Sequence, residues 1–223
     1  MRFSRGSILG LVILLSLAAG YAAPVGASVT VGSSETYSPT VTNTVNAIGG
    51  NVTEVNVSSV QVTDKWAGFY GQVSGSVVLA DSSGNYFYQW TISDPTGGVV
   101  YVANNTVSSW TLSALRTTSG YLPSHLLQGT DSFNNTFTQH EDFNSPSISV
   151  TDANYTTTWQ GGTQGTEFKT YALYADSGAT LIWAGTVNAD KTSFNSGSAD
   201  YQVLAGMDAQ ATLDTFYFYL ELP

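Results

Sequence analysis

Apolar and polar residues alternate with a period of two through residues 73–92, a pattern typical of strands with one side towards a core. The Asp, Ser, Gly and Asn residues at 81–85 interrupt the alternation and favour a turn, so a β-hairpin is predicted. A further turn at 94–98 leads into a run at 99–103, which is expected to add a third antiparallel strand. The residues expected to face the core are Val73, Val77, Leu79, Tyr86, Tyr88, Trp90 and Ile92.

A second turn of similar composition occurs late in the chain, at 175–178, and leads into an apolar run at 183–187. Two related hairpins suggest two sheets packed face to face. The last strand carries Phe216, Phe218, Leu220 and Leu222 on one side and Tyr217, Tyr219 and Glu221 on the other. Because a strand so apolar on both sides would promote aggregation as an open edge, it is expected inside a sheet.

Other stretches are less regular. Residues 28–63 contain short β-branched runs separated by Gly and Pro, which indicates either edge strands or an extended N-terminal arm. Val107, Trp110, Ala114 and Leu115 have helical spacing and predict a short helix, whereas the polar tract 129–146 predicts a long surface loop. The predicted fold is an all-β antiparallel sandwich of two packed sheets with about 8–11 strands, and 64–223 is its domain.

The first 27 residues have the features of an export signal. Arg2 and Arg5 precede an apolar segment of signal-peptide length, and small residues follow at two cleavage points, after Ala22 and, preferred, after Ala27. The apolar segment is short for a permanent membrane anchor. An alternative keeps this segment, because Arg5-Gly6 before Ser7 is similar to the processing site of type IV pilins. The protein is accordingly predicted to be secreted and associated with the cell surface.

The composition narrows the range of partners. The formal net charge is −10, and after residue 27 the only basic residues are Lys65, Arg116, Lys169 and Lys191. Such a surface repels nucleic acid and anionic lipid, so neither is an expected partner. The C-terminal apolar stretch is too short to span a membrane, and no stable span is expected in the mature form.

The residues that catalysis needs are sparse. The chain has no Cys, which excludes disulfides, thiolate chemistry and Cys-based metal sites. His125 and His140 are its two histidines, so a three-His metal site is excluded. Asp81 and Asp176 head the two similar turns and could form a carboxylate pair for glycoside hydrolysis, but turn formation explains both. No cofactor is expected, and the chain is predicted not to be an enzyme.

One polar cluster remains a weak Ca²⁺ candidate because hard cations take oxygen ligands, although EF-hand spacing is missing. Its members are Asp131, His140, Glu141, Asp142 and Asn144. Three aromatic residues, Trp66, Tyr70 and Trp159, could present their rings to sugars or to protein partners, although aromatics beside glycine in strands are more often core. Five sequons permit N-glycosylation, at Asn51, Asn56, Asn104, Asn134 and Asn154.

Several segments together resemble secreted β-rich surface proteins found among archaea. They are WAGFYGQVSGSVVLADSSGNYFYQW, DPTGGVVYVA, FKTYALYADSGATLIWAGTV and TFYFYLEL. The resemblance implies an exported cell-surface or matrix protein and assigns no catalytic residue. The leading hypothesis is a surface-layer, matrix or filament protein whose arm pairs with a sheet edge of a neighbour, with Val29, Val31, Val41 and Val45 filling pockets. The alternatives are a secreted carbohydrate-binding module or hydrolase and the pilin-like subunit.

Overall fold

The computed structural model describes residues 23–39, 44–46, 48–210 and 212–223. Helices are few among them: α1 (Phe133–Thr136) and short 3-10 helices at Thr117–Ser119, Ser124–Leu127 and Asp176–Gly178. The strands are β1 (Val25–Gly26), β2 (Trp66–Gly71), β3 (Ser76–Ala80), β4 (Tyr86–Thr91), β5 (Val99–Ala103), β6 (Ser113–Ala114), β7 (Gln139–Asn144), β8 (Ser149–Gln160), β9 (Thr163–Ala175), β10 (Thr180–Thr186), β11 (Lys191–Thr192), β12 (Ser198–Ala199), β13 (Tyr201–Gly206) and β14 (Tyr217–Glu221). The predicted all-β class is confirmed, although the fourteen strands exceed the expected number.

One large antiparallel sheet organises the molecule. Its strand order is β1-β14-β5-β10-β9-β8-β7, and β6 pairs with β9. The remaining strands form the pairs β2–β13, β3–β4 and β11–β12. All five residues of β5 are buried, which is why this strand has an unbroken apolar sequence: both of its faces lie against a core.

The first core lies where the β2–β13 pair and the segment around α1 cover one face of the large sheet. Trp183 of β10 is fully buried there, with Val203 of β13 and Phe133 and Phe137 of the helical segment. The ring of Trp183 is 5.5 Å from Trp66 and 5.3 Å from Phe137 between centroids. This aromatic cluster joins β2, α1 and the large sheet.

The second core covers the opposite face. Tyr101 of β5 and Ile182 of β10 are fully buried there, together with Phe143 of β7. Trp110 closes this core from the segment after β5, with its ring 5.1 Å from Tyr101. Successive residues of β5 therefore enter opposite cores, as the two-residue period of a strand requires.

Both predicted hairpins form, but they differ in environment. β9 and β10 pair within the large sheet as expected. β3 and β4 also pair, yet every residue of both strands is exposed, so the expected core face is wrong for Val77, Leu79, Tyr86, Tyr88 and Trp90. Val73, which precedes β3, packs against the first core as expected. The third strand was also misplaced, because β5 pairs with β10 and β14 and not with β4. Turn chemistry is local, whereas the choice of sheet depends on distant partners.

Two predictions for the irregular region are wrong. The tract 129–146 is not a long surface loop, because it forms α1 and β7 and buries Phe133, Phe137 and Phe143. These widely spaced aromatics lie among polar residues that hide the pattern. The segment from Val107 to Leu115 is not a helix but contains β6, and Trp110 and Leu115 enter opposite cores.

The last strand, β14, lies between β1 and β5, with Phe218 and Tyr219 contributing to opposite cores, which confirms its prediction as an internal strand. Residues 1–22, which include most of the predicted export signal, its cleavage point at Ala22 and the pilin-type site before Ser7, lie outside the described residues. The last five residues of the predicted signal, 23–27, are described and include β1. In the part of the chain that is described, no helix is long and apolar enough to cross a bilayer.

Candidate functional site

The β3–β4 hairpin presents an uncovered apolar surface, here called the hairpin face. The register pairs Val77 with Trp90 and Leu79 with Tyr88, which places these four side chains on one side of the hairpin. Their exposed fractions are 50% and 50% for the first pair and 52% and 56% for the second. Contiguous apolar surface of this kind marks an interaction site, and an isolated two-stranded hairpin is only marginally stable in water.

The sequence did contain a signal for this exposure. Val78 and Phe87 occupy positions where the alternation calls for polar residues, and they are 40% and 85% exposed. A hairpin that is apolar on both sides does not match a strand pair with one side in water. Together with the rings of Tyr88 and Trp90, which lie 4.7 Å apart, these residues indicate contacts beyond this fold.

The two similar turns use their aspartates differently. Asp81 Oδ1 accepts the backbone N–H groups of Ser83 and Asn85, each at 2.9 Å, which confirms its role as a turn residue. Asp176 instead accepts hydrogen bonds from the backbone N–H and hydroxyl of Ser108, at 3.1 and 2.7 Å, so the same local role is wrong for it. The hydrogen bonds from Asn85 and Ser108 lower the pKa of Asp81 and Asp176, respectively. Both carboxylates therefore accept hydrogen bonds that stabilise a turn or a loop.

The segment 28–63, here called the arm, is the second uncovered feature. Its described residues form neither strand nor helix, which favours the extended arm over edge strands. Several of its valines are almost fully in water, including Val31 at 79%, Val57 at 88% and Val52 at 102% exposure. Val29 and Val45 are exposed as well, and Val41 lies outside the described residues.

The three predicted aromatic contacts lie in different environments. Trp66 is half-buried in the first core, and its Nε1 donates to the carbonyl oxygen of Asp131 at 2.7 Å, so its role is structural. Tyr70 is 43% exposed with its ring edge against Phe194. Trp159 is 59% exposed on β8 and is the most accessible of the three.

A shallow groove lies beside Trp159. Besides Trp159 and Leu204, the residues that line it have hydroxyl or amide side chains: Asn135, Thr136, Thr138, Gln139, Thr156, Thr157, Thr158 and Gln164. Gln202 supports the groove from beneath, because its Nε2 donates to the hydroxyl of Thr158 at 2.7 Å and to the carbonyl of Trp159 at 3.1 Å. An exposed indole beside uncharged hydrogen-bonding groups suits an uncharged polar ligand.

The predicted Ca²⁺ ligands are separated in the structure. Asp131 accepts a hydrogen bond from Lys65 Nζ at 2.6 Å, and His140 Nδ1 lies 2.7 Å from Asp152. Asp142 accepts the backbone N–H of Asp152 at 2.9 Å. Asn144 Oδ1 accepts a hydrogen bond from the hydroxyl of Ser149, at 2.8 Å. Within the described residues, no group of three or more His, Asp and Glu side chains could hold a metal ion.

Glu141, the fifth candidate, is ion-paired on the large sheet. Lys169 Nζ lies 2.6 Å from its carboxylate, and the hydroxyl of Tyr171 also donates to it. Both hydrogen bonds lower the pKa of Glu141, and the one from Lys169 has the larger effect. The pKa of Glu141 is lower in the folded state than in the unfolded state. The Glu141–Lys169 pair therefore stabilises the fold at pH values above the ordinary carboxyl pKa, and this contribution is lost as the pH falls through the folded-state pKa.

The five sequons differ in how accessible their amides are. Asn51, Asn56 and Asn134 are exposed. Asn104 instead donates to Asp208 at 2.8 Å and accepts from the backbone of Leu181, and Asn154 donates to the carbonyl of Phe137 at 3.1 Å. Glycosylation at either of these would break a hydrogen bond that holds the fold.

In a glycosylating host, glycans are therefore expected at Asn51, Asn56 and Asn134 and not at Asn104 or Asn154. Mass spectrometry of glycopeptides from the secreted protein measures the occupancy of each site. The exposed sequons act as internal controls for the activity of the host machinery. High occupancy at Asn104 or Asn154 would contradict the prediction.

Comparison of the chain with family models, curated proteins and solved structures finds no match of any of these three kinds. The hairpin face, the arm and the Trp159 groove are the three candidate functional surfaces of the described structure.

Proposed function

We propose that this protein is an exported, non-enzymatic cell-surface, matrix or filament protein that associates with copies of itself through β-strand pairing. The observation that carries the proposal is the arm: a long segment, rich in β-branched residues, whose described part forms neither strand nor helix and whose described valines are exposed. A segment of this composition gains backbone hydrogen bonds and buried valine side chains when it adds to the edge of a sheet.

The charge distribution supports a second copy as the partner. With a net charge of −10, two copies repel each other over most of their surface. The hairpin face contains no Asp, Glu, Lys, Arg or His, and along residues 28–62 the acidic residues are Glu35 and Glu54. These are the places where two acidic molecules approach at least electrostatic cost. The large sheet and the β2–β13 pair would act as the two layers of a sandwich that carries both surfaces.

Deleting residues 28–48 is expected to abolish self-association of the mature protein. Sedimentation velocity and electron microscopy measure the loss of assemblies, and a variant with these residues replaced by a Gly/Ser segment of equal length is the control for chain length. The thermal unfolding temperature should stay close to that of the parent, because the arm contributes no residue to either core. Unchanged self-association in both variants would contradict the proposal.

A second candidate function, carbohydrate binding, is favoured by the Trp159 groove. An indole that is 59% exposed can stack on a sugar ring, and the neighbouring threonine and glutamine side chains can exchange hydrogen bonds with its hydroxyls. The ligand class would be neutral polysaccharide, because no carboxylate or cationic side chain lines the groove.

Trp159→Ala is expected to abolish binding on an array of neutral glycans. Trp90→Ala is the matched control, since Trp90 is 50% exposed but belongs to the hairpin face. Loss of binding in the Trp159 variant alone supports the groove as the site. Absence of glycan binding by the parent protein counts against this second function.

A further inference from the structure

The preferred cleavage point, after Ala27, lies directly C-terminal to β1 in the chain. β1 pairs with β14 through Val25 opposite Leu220 and Gly26 opposite Tyr219, and the N–H of Ala27 donates to the carbonyl of Phe218 at 3.0 Å. Cleavage after Ala27 would remove all three of these residues on the β1 side. Cleavage after Ala22 would keep them.

Removal of β1 would leave an open edge on the large sheet. The N–H and C=O of one residue in an antiparallel strand point to the same side, so Phe218 and Leu220 face β1 while Tyr219 faces β5. Without β1, the backbone groups of Phe218 and Leu220 would lose their partners. An open edge of this kind is a template for a strand from another chain.

The residues in and around β1 are poorly suited to form a strand at this edge. The segment Pro24-Val25-Gly26-Ala27, which consists of β1 and the residue on either side, contains two residues that strands disfavour, and Pro24 has no N–H to donate. The segment that follows, Ser28-Val-Thr-Val31, is β-branched at three of its four positions. Residues 28–30 already lie along a groove between the end of β2 and β14. The better strand former is therefore adjacent to the edge but not paired with it.

We propose that β1 occupies, before cleavage, the edge position that a strand of a second copy takes afterwards. Cleavage after Ala27 exposes the edge of β14, which then pairs with residues 28–31 of a neighbouring molecule. The same cleavage frees the arm at its N-terminus, so each subunit gains a donor and an acceptor in one step. Donor and acceptor are different segments of the chain, residues 28–31 and β14, so a contact in which each subunit donates to the next is heterologous and forms an open filament where its rotation does not close a ring. This inference rests on the proposed self-association.

The test compares two mature forms of the chain, one beginning at Ala23 and one at Ser28. The Ser28 form is expected to sediment as polymers and to give filaments in electron micrographs, whereas the Ala23 form is expected to remain monomeric. Equal assembly of both forms overturns this inference and leaves the proposed function standing. Absence of assembly in both forms, as when the arm folds back onto its own molecule, overturns both.

Substitutions in the Ser28 form identify the donor segment. Val29→Asp and Val31→Asp are expected to abolish polymers, because a carboxylate would be buried at the pairing site. Val52→Asp is the control, since Val52 is also an exposed valine of the arm but lies outside the proposed donor. All three variants should keep the folded circular dichroism spectrum of the parent form, although the two donor variants lose the stability that polymerisation adds. Polymers that persist in both donor variants would overturn the assignment of residues 28–31.

Discussion

Glu221→Ala is expected to lower the free energy of unfolding by about 2–6 kcal/mol, because it leaves two donors without an acceptor at roughly 1–3 kcal/mol each. Glu221 is only 3% exposed on β14. Its carboxylate accepts the hydroxyl of Tyr101 at 2.7 Å and the backbone N–H of Ser147 at 2.5 Å. Burial raises the pKa of Tyr101 most, and the hydrogen bond and charge of Glu221 raise it further, so its hydroxyl remains a donor. Urea denaturation followed by circular dichroism measures the loss.

Two further variants separate the hydrogen bonds from the volume of the side chain. Glu221→Gln keeps one acceptor oxygen and should lose less stability than the alanine variant. Tyr101→Phe removes one of the two donors, so Glu221→Ala should cost less in that background than in the parent. If the two substitutions are strictly additive, the Tyr101 hydroxyl does not depend on Glu221 and the explanation is wrong.

Trp183→Ala is expected to cost about 3–5 kcal/mol, the range for removing a large buried aromatic side chain. Trp183 is fully buried in the first core, between Trp66 of β2 and Phe137 after α1. A cavity here removes contacts from three elements at once, and their backbones can close it only in part. The midpoint of urea denaturation measures the effect.

Trp183→Phe is the matched control and should cost distinctly less, about 1–2 kcal/mol. Phenylalanine retains an aromatic ring in the cluster and removes the indole N–H, which is buried and has no hydrogen-bond partner within the described structure. Burial of an unpartnered donor is unfavourable, so its removal offsets part of the lost volume. Equal destabilisation by Phe and Ala would show that the indole nitrogen contributes to stability.

The hairpin β3–β4 shows how far local sequence can be interpreted. Its turn residues and alternation predict the pairing and place Asp81 correctly at the turn. The same pattern wrongly assigns Val77 and Trp90 to a core, because alternation indicates two different faces without indicating what covers either one. For β5, the apolar run predicts a strand, but its neighbours β10 and β14 are more than 75 residues away in sequence.

The candidate surfaces divide in the same way. Trp66, Tyr70 and Trp159 look equivalent as aromatics beside glycine, yet packing against Trp183 and Phe137 makes Trp66 structural and leaves Trp159 exposed. The candidate ligands Asp131 and Glu141 are ten residues apart, but each pairs with a different lysine, Lys65 or Lys169. Ion pairs over such separations arise from the fold and leave no local signal.

The class of this protein follows from its residues alone: short β-branched and aromatic runs, turn residues between them, an acidic surface and the absence of cysteine specify an antiparallel β protein. These are local properties, and the turns and strand periodicity need no distant partner to be recognised. Which strands share a sheet, which apolar faces meet, and which of them stay in water depend on contacts between residues far apart in sequence. The exposed hairpin, the open arm and the place of β1 on β14 therefore became visible once those contacts were known.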